Sequence, residues 1–152
     1  MTGEPGRTRG FTLVELLIVV AIIGIIAAIA VPNLLNAVDR GKQKRTMGDL
    51  RAIAVALESY DIDQSGFPSA TDIAAMQAVL DPTYIRHMPV ADAWGHAFVA
   101  WSGGGDYTLG SEGKEGTGGL VACAGSPRCN AFDDAIIYSN GQFLQWPDGI
   151  QK

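Results

Sequence analysis

Histidine and cysteine are scarce in this chain, with two of each in 152 residues. His87, His96, Cys123 and Cys129 show no standard zinc-ligand spacing, so a zinc centre has little to be built from. No serine or cysteine stands in a recognisable nucleophile motif, and Gly110-Ser111-Glu112-Gly113-Lys114-Glu115-Gly116 does not fit a phosphate-cradling loop. Little supports catalysis, and the chain reads as a non-enzyme. Basic residues are also in short supply. The formal net charge is -5, and from residue 52 onward only Arg86, Lys114, Arg128 and Lys152 face twelve Asp and Glu. A surface of that sign cannot neutralise phosphates, which argues against nucleic-acid binding through this part. No internal repeat is visible. The two histidines read as surface or strand residues. Trp94, Trp101 and Trp146 read as the packing of a small sheet, with a carbohydrate-binding surface as the weaker alternative.

What the chain does have is one long apolar run, Gly10 to Pro32. About 22 residues at roughly 1.5 Å each make a helix of about 33 Å, enough to cross a hydrocarbon core about 30 Å thick. The run contains one carboxylate, Glu15, about a turn from its start. An intramembrane carboxylate costs on the order of 2.5 to 3.5 kcal/mol at mid-membrane and less near the interface, so it asks for a partner. The short polar leader carries Arg7 and Arg9, which suits a cytoplasmic tail. A secretory signal is one rival, since Ala28-Ile29-Ala30 imitates a small-residue cleavage site, but the run is longer than such a signal needs. A plain single-span anchor is another, and it leaves Glu15 and the Gly10-Phe11 junction unexplained. Gly24 and Pro32 weaken the helix between them, by roughly 1 and about 3 kcal/mol in a regular interior.

The string Gly10-Phe11-Thr12-Leu13-Val14-Glu15, followed by an unbroken apolar run, resembles the processing site of type IV pilins and type II secretion pseudopilins. The resemblance implies cleavage after Gly10 by a membrane peptidase on the cytoplasmic side, methylation of the new Phe11 amine, and assembly through the helix. It further implies that Glu15 meets the Phe11 amine of a neighbouring subunit, and that the stretch between Gly24 and Pro32 loosens when the subunit leaves the bilayer. A charge pair at low dielectric is strong only when its geometry is good, so this one would set register more than add stability.

Beyond Pro32 the pattern turns amphipathic. Met47, Leu50, Ile53, Ala54, Leu57 and Tyr60 recur at spacings of three and four and share one face. Asp39, Arg40, Lys42, Lys44, Arg45, Asp49 and Arg51 are expected on the exposed beginning of this helix, as a solvated face or as a contact for anionic lipid or acidic neighbours. Gly66-Phe67-Pro68 should stop the helix near 61–65. Ser69 to Asp72 has capping-box character ahead of a short helix from Ile73 to Leu80, closed by Asp81-Pro82. Strands are expected at 96–101 and 107–110 about the turn Gly103-Gly104-Gly105. Two more, at 136–139 and 142–146, should flank Asn140-Gly141, the strongest short hairpin signal. The expectation is an α+β, pilin-like fold, with a small antiparallel sheet packed on the apolar face of the long helix. It divides into a leader (1–10), a transmembrane and polymerisation helix (11–33), its amphipathic continuation (34–62) and a periplasmic head (63–152).

In the head, Gly103 to Gly119 is glycine-rich and bracketed by carboxylates; the residues alone allow a solvated acidic loop or a calcium site, since calcium takes six to eight oxygens. Asp92-Ala93-Trp94-Gly95, then Tyr107 to Gly113, then Asp133-Asp134-Ala135-Ile136 resemble the order of elements in the major type II secretion pseudopilins. That resemblance implies calcium, held by side-chain oxygens of Glu112, Asp133 and Asp134 and the backbone carbonyl of Leu109. Glu112 stands where the family usually has aspartate, and the loop carries an insertion with both cysteines. Cys123 and Cys129 are expected to form a disulfide, which an extracytoplasmic compartment permits. The partners implied are further copies in a helical filament, the prepilin peptidase, an inner-membrane platform with its ATPase, minor pseudopilins or pilins, and membrane lipid before assembly. A surface pilus and a monomeric membrane-anchored binding domain are the alternatives.

Overall fold

The computed structural model describes residues 10–117, 119–120, 128–129 and 131–147, in two units, Met1–Leu35 and Asn36–Lys152. The elements are α1 (Leu13–Gln64), α2 (Ile73–Leu80), β1 (Val99–Gly103), β2 (Asp106–Ser111), β3 (Arg128–Cys129), β4 (Ile136–Ser139) and β5 (Gln142–Pro147).

The first unit is helical almost from its start. Thr12 caps it: the Glu15 amide donates to Thr12 Oγ1 at 3.2 Å, and the Thr12 amide donates to Glu15 Oε2 at 2.9 Å. This is the reciprocal arrangement of a capping box, and it satisfies two donors that the first turn would otherwise leave orphaned. Every large apolar side chain from Phe11 to Leu35 is between 45% and 82% exposed. The helix is long and apolar enough to cross a membrane. Gly24 and Pro32 lie within α1, which is unbroken across both. Pro32 has no amide hydrogen to give the Ala28 carbonyl, so the local weakness is a missing bond inside a continuous helix. One turn of support is added by Asn33, whose side-chain amide donates to the Ile29 carbonyl at 3.1 Å.

The second unit contains its whole hydrophobic core. Leu50, Ile53, Ala54 and Leu57 of α1 are buried with Met76 and Leu80 of α2 and Phe98, Ala100, Tyr107, Leu109, Ile136 and Tyr138 of the sheet and its approach, while Met47 and Tyr60 pack at the edge. The expected apolar face of the helix is therefore the buried one, and each full-sized aliphatic side chain on it contributes about 1.5 to 3 kcal/mol on burial. Four strands are antiparallel in the order β1-β2-β4-β5, with β3 added parallel to β5. Ala100, Leu109, Tyr138 and Phe143 form one cross-strand row. Tyr107 lies between Phe67 and Tyr138, with ring centroids 5.0 and 6.4 Å away, and its hydroxyl donates to Glu58 Oε1 at 2.9 Å. Burial and the Glu58 carboxylate push that phenol above its ordinary range. Asp72 caps α2 by accepting from the Ala75 amide at 2.8 Å.

Three local expectations need correction, and one short strand is new. The first strand starts at Val99, because residues 90–98 instead make a closed turn in which Asp92 N donates to the His96 carbonyl and Phe98 N to that of Val90, at 2.8 and 3.0 Å. β3 is too short to leave a periodic signature. Trp101 is 48% exposed, because along β1 its side chain alternates with the buried Ala100 and Ser102. Asp39, expected on the solvated beginning of the helix, is buried for reasons given below.

Candidate functional site

Two regions carry the residues singled out by the sequence. The first is the N-terminal junction. Gly10 and Phe11 precede α1 and are exposed, Phe11 at 82%, so the bond between them lies outside regular helix. A bond outside regular helix and open to solvent is one that a protease can engage. Glu15 sits in the first turn of α1, and its Oε2 accepts from the amide and the hydroxyl of Thr12, both at 2.9 Å. The sequence signal for this cap is Thr-x-x-Glu before an apolar run, a local pattern distinct from the pairing with the Phe11 amine.

The second region is where the loop after β2 meets the turns at 92–96 and 131–134. Its organiser is Asp92, a residue that sequence reasoning placed only within a motif. Asp92 is 6% exposed. Its Oδ1 accepts from the amides of Trp94, Gly95 and His96, each at 2.9 Å, and its Oδ2 accepts from Ser111 Oγ at 2.7 Å. A buried carboxylate is tolerable only when such donors surround it. Asp92 thereby joins the turn to the end of β2. His96 extends the link: its Nδ1 is 3.1 Å from the Gly113 carbonyl, and its ring packs against Gly116.

Lys114 ties the same loop to two other elements. Its amide donates to the Phe132 carbonyl at 2.9 Å, and its Nζ lies 5.9 Å from the Phe132 ring centroid. That Nζ also donates to Asp39 Oδ2 at 2.9 Å, while Trp94 Nε1 donates to Asp39 Oδ1 at 3.3 Å. This explains the burial of Asp39. Partial desolvation raises its pKa, but the hydrogen bonds from Lys114 and Trp94 and the charges of Lys114 and Lys42 outweigh this and hold it below the usual carboxylate range. Lys114 is correspondingly raised, first by the hydrogen bond to Asp39 and then by its charge.

The loop after β2 and the 133–134 segment meet here through their backbones. Gly113, at φ +82°, presses its backbone onto the 133–134 segment so closely that a Cβ would stand 2.6 Å from the Asp133 carbonyl oxygen and 2.8 Å from that of Asp134. Glu112 directly precedes this contact in the chain. Asp133 is exposed, Glu112 and Asp134 are half-buried, and Asp134 Oδ2 accepts from the Ala131 amide at 3.0 Å. Leu109 lies within β2, paired on one side with Ala100 and on the other with Tyr138. Among the described residues no three Asp, Glu, His or Cys side chains gather closely enough to hold a metal ion by themselves. The donors at the seam are carboxylate and carbonyl oxygens, the chemistry that suits a hard cation such as calcium. Cys123, and with it the expected disulfide to Cys129, lies outside the described residues.

Residues 6–31 match the family described as the prokaryotic N-terminal methylation motif, and residues 33–123 match the type II secretion system protein G family. Among curated proteins, the chain is 36% identical over 127 residues to the type II secretion system core protein G of Pseudomonas aeruginosa, covering 72% of this chain and 88% of that one. It is 35% identical over 136 residues to the protein of the same name from Vibrio cholerae, covering 79% and 92%. Against that of Escherichia coli the identity is 33% over 124 residues, covering 72% and 84%. No solved structure matches. With an apolar N-terminal helix, a small antiparallel sheet and both family matches in sequence order, the chain belongs to the core protein G family of the type II secretion system, the major pseudopilins.

Proposed function

We propose that this chain is made as an inner-membrane precursor with its head in the periplasm, is cleaved between Gly10 and Phe11, and polymerises through α1 into a short filament that drives protein export. The observation that carries the reading is the Gly10-Phe11 junction. It is an exposed, non-helical bond directly ahead of a capped apolar helix. Cleavage there frees an α-amine near Glu15, and the same carboxylate is then available to the amine of the next subunit. The prepilin peptidase, the assembly platform and ATPase, and the minor pseudopilins are partners by family. No step in this reading makes or breaks a bond in another molecule, so the chain works as a structural element.

Calcium belongs to this proposal. Glu112, Asp133 and Asp134, with backbone carbonyls of the 109–113 and 131–134 segments, are the residues that would hold it. A bound divalent ion would neutralise the acidic seam and stiffen the loop against the sheet.

The test is mass spectrometry of the chain recovered from cells at native expression, separated into sheared-filament and envelope fractions. A mature subunit beginning at methylated Phe11 and retained in the envelope is the expected result. The same species abundant in the sheared fraction would assign the chain to a surface pilus instead, and an uncleaved chain would reject both.

A further inference from the structure

The ammonium of Lys114 sits at the meeting point of three elements, and its role goes beyond both the filament and the calcium readings. Its backbone amide is bonded to Phe132 in the turn before β4, its side chain lies beside the Phe132 ring, and its Nζ reaches Asp39 Oδ2 on α1 at 2.9 Å. Asp133 and Glu115 add their negative charge around the same group. The helix it reaches is held unevenly. Around Leu50 to Leu57, α1 is buried by apolar contact. Around Asp39 to Thr46 its buried side chains are Asp39, Gln43 and Thr46, all polar. From that stretch, Asp39 is bonded by Lys114 and Trp94, and Thr46 Oγ1 accepts from the Ala93 amide at 3.2 Å.

We propose that Lys114 is a resident cation of this loop, a positioning residue that clasps the first turns of the head's helix, Asp39 to Thr46, to the loop after β2 and the 131–134 turn. A polar attachment has little of the area-proportional stabilisation that keeps 50–57 in place, so it can open while the apolar core stays shut. The clasp works without a bound ion, because the positive charge is covalently part of the chain. It also gives the acidic loop a direct mechanical connection to the helix that carries the membrane-spanning run.

Hydrogen exchange read by mass spectrometry on residues 36–152, which contain the complete core, tests this, in EDTA so that no divalent ion contributes. Lys114→Met keeps the aliphatic stem and removes the charge. It should speed exchange of the amides from residue 40 to 47 by about fivefold, the equivalent of one partly screened ion pair, and leave those from 50 to 57 at the wild-type rate. Lys114→Arg should restore protection, and Asp39→Asn should mimic Lys114→Met without adding to it. Equal acceleration in both windows would make Lys114 an ordinary stability contact and overturn the proposal. Unchanged exchange in the 40–47 window would overturn it too, as would additive effects of the two variants. Circular dichroism of each variant establishes that the comparison is between folded proteins.

Discussion

Thr12 and Glu15 form a closed pair: Thr12 gives Glu15 Oε2 two hydrogen bonds at 2.9 Å, and the Glu15 amide returns one to Thr12 Oγ1 at 3.2 Å. The carboxylate in the apolar run is thus provided for within its own helix. On the proposed assembly, engagement by a neighbour's amine would be an exchange of partners, which lowers the cost of waiting in the bilayer.

Glu15→Ala should therefore insert, fold and be processed as the wild type does, yet fail to enter filaments. Fractionated cell envelopes probed for mature subunit, with circular dichroism of the head as control, make the measurement. Wild-type amounts of filament from this variant would remove the assembly role assigned to Glu15.

Asp92→Ala should be among the most damaging single changes in the head. It strands three amides and the Ser111 hydroxyl in a buried setting, a loss of about 3 kcal/mol. Urea denaturation of residues 36–152 reads it directly, and Asp92→Asn, which keeps one acceptor oxygen, should cost less.

Two glycines separate backbone strain from collision. Gly105, at φ +105°, faces open space, so Gly105→Ala meets the conformational penalty of about 1 to 2 kcal/mol alone. Gly113→Ala meets that penalty and the carbonyl oxygens of Asp133 and Asp134, and should lose roughly 3 kcal/mol or more. If denaturation midpoints of the two variants coincide, the close packing of the 113 and 133 segments is wrong.

The pH dependence follows from Asp39. Its folded pKa is depressed, so the stability it contributes is present above the unfolded value of about 3.9 and drains away as pH falls through the lower folded one. Lys114 is raised, so its contribution is complete below about 10.5 and is lost only as pH rises through the higher folded value. The contribution of this pair should be level between these limits. Below about pH 4 the gap between wild type and Asp39→Asn should narrow, closing as pH falls beneath the lower folded value; a gap that does not narrow in acid would contradict the assigned ion pair.

Chelation addresses the cation. EDTA should lower the melting temperature of residues 36–152 and added calcium should restore it, and an indifferent melting curve would remove calcium from the account.

The reach of the sequence had a physical limit. Leu50, Ile53, Ala54 and Leu57 were legible because burial repeats with the helical period, and the hairpin was legible because Asn140 and Gly141 at φ +46° and +84° are the residues such a turn selects. The apolar span and its processing junction were legible as a string. Asp39 and Asp92 were not. A charged residue near the start of a helix looks solvated until Lys114, 75 residues away, is placed beside it. Asp92 needs Ser111, which ends β2, 19 residues further along the chain. Both are long-range facts without a local pattern.

One consequence remains in the covering of β1. Ala70 exchanges both backbone hydrogen bonds with Ser102, at 3.0 and 2.8 Å, and Val90 accepts from Phe98 just before the strand begins. The border of the sheet that would otherwise invite another chain is thus occupied at both ends by the protein's own loops. Strand addition between heads is thereby hindered at this border, so copies crowded together do not pair through β1.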